Sequence, residues 1–286
     1  MARRAWLTLQ LHENFPTTEI LQFDLGNFSD NPTEEGTLRT EGLIEGMDRL
    51  GYDVANVGER DLSLGYDEFV RRTEAATFPF VSANIVRRDT REPVFNPYVI
   101  LDVETEGSAK PLRVGVIGVV RFNPVFLRSG PDDTNLVILP PLEAVKRYFE
   151  EVRERSDVVV LLAAIHQDDA HIIAKEVADI DIILGSYGSI YSTREEAEGD
   201  TLICYSGNQG RRIGESRLFV DSSGDVERIT SFMHVLTARY PNDPEMQAYV
   251  MEVGRKIGEH KRARSDGKAD GAAPQTGTDG EARGAS

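Results

Sequence analysis

Two stretches of the chain, LRVGVIGVV (112–120) and DVVVLLAAIH (157–166), are apolar at almost every position. A strand with one face in water alternates apolar and polar residues. A run that is apolar on both parities needs cover on both faces, the usual state of parallel strands flanked by helices. Between the two runs, PLEAVKRYFEEVRERS (141–156) has the spacing of an amphipathic helix, and a helix over 168–177 leads to a third strand, DIDIILG (179–185). Nearer the N-terminus, ILQFDLG (20–26) and DVANVG (53–58) read as strands around a helix at 37–50, with Leu38, Leu43, Met47 and Leu50 on its inner side. A short helix at 66–74 precedes a strand at FPFVSANIV (78–86). After residue 200 the rhythm changes: TLICYSG, RRIGESRLFVD and DVERITSFMHVL read as successive strands, with Ser222-Ser223-Gly224-Asp225 as a tight turn. βα units followed by a β-meander predict an α/β fold, a sandwich of two sheets flanked by helices. No internal repeat is visible.

The expected organisation is one domain over 1–240, a C-terminal helix over 241–262 and a disordered tail over 263–286. The helix has Asp243 as N-cap, Pro244 at its first position, and an apolar stripe of Met246, Tyr249, Val250, Val253 and Ile257. The tail lacks large apolar residues, so burial cannot offset its ordering entropy.

With 32 Lys and Arg against 48 Asp and Glu, the formal charge is −16, which disfavours nucleic acid as a partner. The single cysteine, Cys204, permits neither an internal disulfide nor a cysteine-based zinc site. No apolar run reaches the roughly 18 residues of a membrane span, and no apolar segment of a signal peptide follows Arg3 and Arg4. Without an export signal the sequence reads as cytoplasmic, but it leaves the compartment open.

In open α/β sheets, functional groups gather beyond the carboxyl ends of strands. Those ends carry Gly26-Asn27-Phe28-Ser29-Asp30, Gly58-Glu59-Arg60-Asp61, Ala83-Asn84, His166-Gln167-Asp168-Asp169, Gly185-Ser186-Tyr187-Gly188-Ser189 and Gly207-Asn208-Gln209-Gly210. Strand after strand ends in small or polar residues, which favours a shared cleft. A dinucleotide-binding module is disfavoured, because no G-x-G-x-x-G follows the first strand, and Gly207–Gly210 precedes a strand, not a helix.

The order and spacing of these segments resemble the calcineurin-like metallophosphoesterases, in particular the catalytic domain of the 5′-nucleotidase type. That family reads D-x-H, G-D, G-N-H-[ED], a lone His after a buried strand, and G-H-x-H. LQFDLGNFSDNP is similar to the G-D segment, GLIEGMDRLGYDVANVGERDLSLG to the approach to G-N-H-[ED], and FPFVSANIV to the strand that follows. The run from Asp157 to Ser189 is similar to the lone-His strand through G-H-x-H, and YSGNQGRRIGESRLFVD to the closing strands. The likeness covers about residues 1–237. It implies a metallo-dependent phosphatase-like α/β/β/α sandwich of two mixed sheets. Its chemistry is two-metal phosphoester hydrolysis, with a bridging carboxylate and imidazole ligands.

The chain departs from that pattern at most ligand positions. D-x-H has no counterpart, as if the chain began after it; His12 follows Gln10 rather than an aspartate and reads as exposed. Asn27 stands for the bridging Asp, and a neutral amide bridges two cations poorly. Glu59 replaces Asn, Arg60 replaces the catalytic His, and Asp61 keeps the acidic position. His166 matches the lone ligand, whereas Tyr187 and Ser189 stand where G-H-x-H has its imidazoles; His171 reads as a helix-face residue. Catalytic candidates are therefore Arg60 and Asp61. Metal candidates are His166, Glu59 and a vestigial Asn27, and ligand-binding candidates are Asn84 and Asn208. The expectation is a family member with a degenerate dinuclear site that binds a small phosphorylated ligand or a protein partner. It would carry no metal, or one weakly held Mn²⁺ or Zn²⁺ where the family uses two. The alternative is an active phosphoesterase using one metal at Glu59, Asp61 and His166, or a site completed by an upstream stretch. The resemblance also implies that relatives are often exported and carry a further substrate-binding domain.

Overall fold

The computed structural model describes residues 1–105, 110–121, 135–221 and 225–270. The chain opens with helix α1 (Ala2–Asn14), strand β1 (Phe23–Asp24), α2 (Glu34–Arg49) and β2 (Val54–Asn56), followed by a 3₁₀ turn at Asp61–Leu64 and α3 (Tyr66–Thr73). Next come β3 (Phe80–Val81), β4 (Ile85–Arg87), β5 (Tyr98–Val103), β6 (Leu112–Val120), β7 (Leu136–Ile138), α4 (Pro141–Arg155), β8 (Val158–Ala164), α5 (Gln167–Glu176) and β9 (Ile182–Gly185). The last elements are β10 (Glu196–Glu198), β11 (Thr201–Tyr205), β12 (Arg212–Val220), β13 (Val226–Val235) and α6 (Pro244–Asp270).

The two apolar runs are the neighbours β6 and β8 at the centre of a mixed sheet of order β10-β11-β9-β8-β6-β5. Its four inner strands run parallel, and β5 and β10 close the edges antiparallel. Parity sorts β8 cleanly. Val159, Leu161, Ala163 and Ile165 face α4 and α5, while Val158, Val160 and Leu162 face the opposite layer. That layer contains the parallel trio β1-β2-β3 and the β12-β13 hairpin, which present Val54, Val81, Leu218 and Ile229 to the same interior. Outside β1-β2-β3 lie α2 with α6, and α1 packs on α6 through Ala2, Ala5, Met246 and Tyr249. The four-layer α/β/β/α sandwich follows.

Two glycines in β6 set how closely these layers approach. A Cβ on Gly115 would lie 2.4 Å from Val152 Cγ1 of α4. On the other face, a Cβ on Gly118 would lie 2.6 Å from Asn56 Oδ1 and 2.7 Å from the Val81 carbonyl oxygen. The glycine interruptions of an otherwise β-branched strand are thus where a helix on one side and β2–β3 on the other come nearest.

Several boundaries differ from expectation. The strand expected at 20–26 is two residues long, because Asp24 Oδ1 turns back to accept the Gly26 N–H. FPFVSANIV divides into β3 and β4, which belong to different sheets. TLICY is no part of a meander: it is buried throughout and pairs parallel with β9, leaving β12-β13 as the antiparallel hairpin. Helix α1 and strands β5, β7 and β10 are elements that the sequence pattern does not predict. The Asp243 cap holds, its Oδ1 accepting the Met246 N–H at 2.7 Å. Val250 is exposed, however, and α6 runs past residue 262 into the stretch expected to be disordered. Its later turns carry the i,i+4 pairs Glu252–Lys256 and Arg255–Glu259, and His260 and Arg264 reach Glu34 at the start of α2. Residues 271–286 and the centre of the turn at 222–224 lie outside the described residues.

Gly118→Ala should destabilise the fold by about 1–3 kcal/mol, because the new methyl meets backbone and a buried amide rather than a yielding side chain. Urea denaturation monitored by circular dichroism measures this.

Candidate functional site

The loops after β1 and β2 lie against each other. Asn27 adopts a left-handed backbone (φ 63°), and its Oδ1 accepts the Arg60 N–H at 2.9 Å. A Cβ on Gly58 would sit 2.4 Å from that same Oδ1, so glycine is required there. Asp61 fastens both loops. Its carboxylate accepts N–H groups from Asn27 at 2.7 Å, Ser29 at 2.9 Å and Gly58 at 2.8 Å. It is 2% exposed, and burial raises its pKa to about 6 despite those three donors. The Asp61 carboxylate thus faces the main chain rather than a ligand space.

Glu59 and Arg60 flank this clip on its outer side, where Arg60 is exposed. Glu59 Oε2 lies 3.6 Å from a guanidinium nitrogen of Arg121. The Arg121 guanidinium stands 5.4 Å from the centroid of the Tyr187 ring. The Tyr187 ring in turn rests on His166, with centroids 3.7 Å apart. Ends of β2, β6, β8 and β9 are joined in this way by a chain of side chains, Glu59–Arg121–Tyr187–His166. Arg121 is absent from the strand-end candidates, yet it directly follows the apolar run 112–120, and that position is the signal that points to it. Its own N–H donates to the Ala164 carbonyl at 2.9 Å, which fixes its backbone to the end of β8.

The other candidates fall elsewhere. Asn84 is not a lining residue but a buried tie. Its Nδ2 donates to the carbonyls of Val120 at 2.6 Å and Leu139 at 2.9 Å, and its Oδ1 accepts the Val120 N–H at 2.9 Å, so both its donors serve the main chain. Asn208 and Ser189 are exposed on the turns that precede β12 and follow β9. His12 is exposed at the end of α1, and His171 on α5 faces Glu198 at 3.4 Å. Two surface hollows, of about 510 Å³ beside Val235 and Tyr240 and about 410 Å³ beside Tyr66 and Phe95, contain none of the candidate residues.

Among the described residues, no three His, Cys, Asp or Glu side chains converge as ligands would. The Asn27 oxygen and the Asp61 carboxylate are engaged by main-chain N–H groups, Glu59 by Arg121, and His166 by the face of Tyr187.

The raised pKa of Asp61 has a definite sign. The native state holds this proton more tightly than the unfolded chain, so the stability linked to it is full below about pH 4 and lost as pH rises through about 6. Asp61→Asn places an amide N–H₂ among three N–H donors and should cost about 1–3 kcal/mol. The difference in stability between the parent and this variant should shrink from pH 4 to pH 6, with a slope no steeper than about 1.4 kcal/mol per pH unit. Chemical denaturation across that range tests both statements.

No family model matches the chain. It is 28% identical over 155 residues to the 2′,3′-cyclic-nucleotide 2′-phosphodiesterase/3′-nucleotidase of Salmonella typhimurium, covering 50% of this chain and 24% of that protein. It is 23% identical over 168 residues to the 5′-nucleotidase of Vibrio cholerae, covering 58% of this chain and 29% of that protein. The chain thus spans a quarter to a third of the length of these curated relatives. Among solved structures it is similar to the calcineurin-like phosphoesterase YfkN from Bacillus subtilis, with a TM-score of 0.76 and 19% identity over 92% of this chain and 90% of that one. It is also similar to a 5′-nucleotidase precursor from Thermus thermophilus, with a TM-score of 0.73 and 20% identity over 90% of this chain and 53% of that one. The chain is thus similar in sequence to nucleotidase-type phosphoesterases, and its layered sandwich is the fold of the calcineurin-like phosphoesterases and of the 5′-nucleotidase catalytic domain.

Proposed function

We propose that this chain uses the phosphoesterase fold to bind a phosphorylated ligand, or a partner presenting one, without dinuclear hydrolysis. The observation that carries this reading is the engagement of the residues at the family's ligand positions. The Asn27 oxygen and the Asp61 carboxylate accept main-chain N–H groups, Glu59 lies 3.6 Å from the Arg121 guanidinium, and the His166 ring packs on Tyr187. Two-metal hydrolysis needs a carboxylate shared by both ions and neutral imidazoles around them. Here the bridging position holds a neutral amide, and Tyr187 and Ser189 hold the positions of two imidazoles. Arg60, at the position of the family's acid, keeps its proton and so cannot protonate a leaving group. It can hold an anion by charge-assisted hydrogen bonds.

The names of the sequence relatives favour a second reading, hydrolysis of a phosphoester with a single ion held by Glu59 and His166. One measurement separates the two. Titration of metal-free protein with Mn²⁺ and Zn²⁺ by calorimetry, beside a His166→Ala control, should give no saturable binding that depends on His166, and p-nitrophenyl phosphate should not be turned over. Saturable binding lost in the control, together with turnover, would establish the enzyme instead. Separately, Arg60→Ala should weaken binding of a nucleoside monophosphate about tenfold, as loss of one charge-assisted contact implies. Unchanged affinity would remove Arg60 from the site.

A further inference from the structure

Arg121 stands among the side chains that match the family's ligand positions: Glu59 beside it, Tyr187 under it, and His166 behind Tyr187. We propose that this guanidinium takes the place of the metal charge, so that the cleft is an arginine-based site for a tetrahedral oxyanion, free phosphate or a phosphate ester, and binds it without any metal ion. The proposal rests on the non-dinuclear reading above and names the residue that replaces the ions.

Four features support it. The first is placement. Arg121 directly follows β6, and its N–H donates to the Ala164 carbonyl at the end of β8, which fixes its backbone beside the strand ends that carry His166 and Tyr187. The second is orientation. The Arg121 guanidinium carbon stands 5.4 Å from the centroid of the Tyr187 ring, within cation–π range. The third is the state of those donors. Glu59 at 3.6 Å is beyond hydrogen-bonding distance, and the guanidinium makes no hydrogen bond to a described residue; the side chain is 30% exposed, while its Nε–H is buried away from any incoming ligand. A buried donor left unpaired costs about 1–3 kcal/mol, and the planar fork of a guanidinium matches two oxygens of a phosphate. The fourth is the coherence of the replacements. Tyr in place of an imidazole removes a metal ligand and at the same time supplies the platform on which a cation rests. Glu59 supplies a carboxylate that attracts a guanidinium as it would an ion.

The test uses the full chain after chelator treatment, titrated calorimetrically with inorganic phosphate and, in parallel, with a nucleoside monophosphate. Saturable binding of either in EDTA is expected, unchanged on adding Mn²⁺; binding of the ester alone would assign the site to phosphate esters. Arg121→Gln should weaken it at least tenfold. Glu59→Gln removes the competing carboxylate and should tighten binding at least twofold. That gain is opposite in sign to the effect of general damage to the fold, and it decides the matter if Arg121→Gln fails to fold. The proposal is overturned by absence of binding in EDTA, by binding that appears only with Mn²⁺, by an unaffected Arg121→Gln, or by Glu59→Gln that leaves affinity unchanged or lower. Absence of binding by both probes in EDTA, with no metal site found, would remove the role of Arg121 and leave the non-dinuclear reading to its own metal titration. A metal site dependent on His166 would remove both.

Discussion

The end of β6 is held by two buried amides. Asn84 closes a pair of hydrogen bonds with Val120 and a third with Leu139, and Asn56 donates to the carbonyls of Val119 at 2.9 Å and Leu25 at 3.3 Å. A β-strand forms hydrogen bonds along its own sheet, so nothing in the ladder joins one layer of a sandwich to the other. These side chains make that join together with the Ala83 N–H, which donates to the Gly118 carbonyl at 2.7 Å; the Asn84 amide is paired at both ends, whereas Asn56 Oδ1 is buried without a partner. Gly118 provides the space for it. The ends of β1, β2 and β6 are therefore fixed relative to one another, and the cleft is fixed with them.

On that rigid base, the loops after β1 and β2 are tied by Asp61, which accepts three main-chain N–H groups while nearly excluded from solvent. In a metal centre the ions would help hold these strand ends together and balance their acidic groups. Here Asp61 ties the loops within one layer, the Glu59–Arg121 contact crosses the sandwich, and the Arg121–Tyr187 contact joins the ends of β6 and β9 within one sheet. The half-buried Glu59–Arg121 pair is loose, and its value lies less in stability than in holding a cation where charge is useful. A permanently charged guanidinium needs neither metal supply nor deprotonated ligands.

The chain alone revealed the interior strands, because burial on both faces leaves a mark at every residue of LRVGVIGVV and VVVLLAA. It also revealed that the strand ends are polar and ordered as in the phosphoesterases. It did not reveal α1, whose inward side is made of small residues such as Ala2 and Ala5 and whose cover is α6, at the far end of the chain. Nor did it separate a meander from a parallel strand at TLICY, since strand direction depends on the partner chosen. Asn84 had the look of a lining residue, because a polar side chain at a strand end reads the same whether it faces a cleft or a neighbouring backbone.

Residue identity determined what chemistry was available: an amide at Asn27, a phenol at Tyr187, and arginines with permanent charge. These are properties of single side chains and are complete in the sequence. The tertiary structure alone decided which of them meet. Asp61 turned inward to three N–H groups, Asn84 joined two layers, and Arg121 came to rest between Glu59 and Tyr187, residues far apart in the chain. The reason is physical: contacts between distant residues follow from how four layers close on one core, and no local pattern encodes that closure.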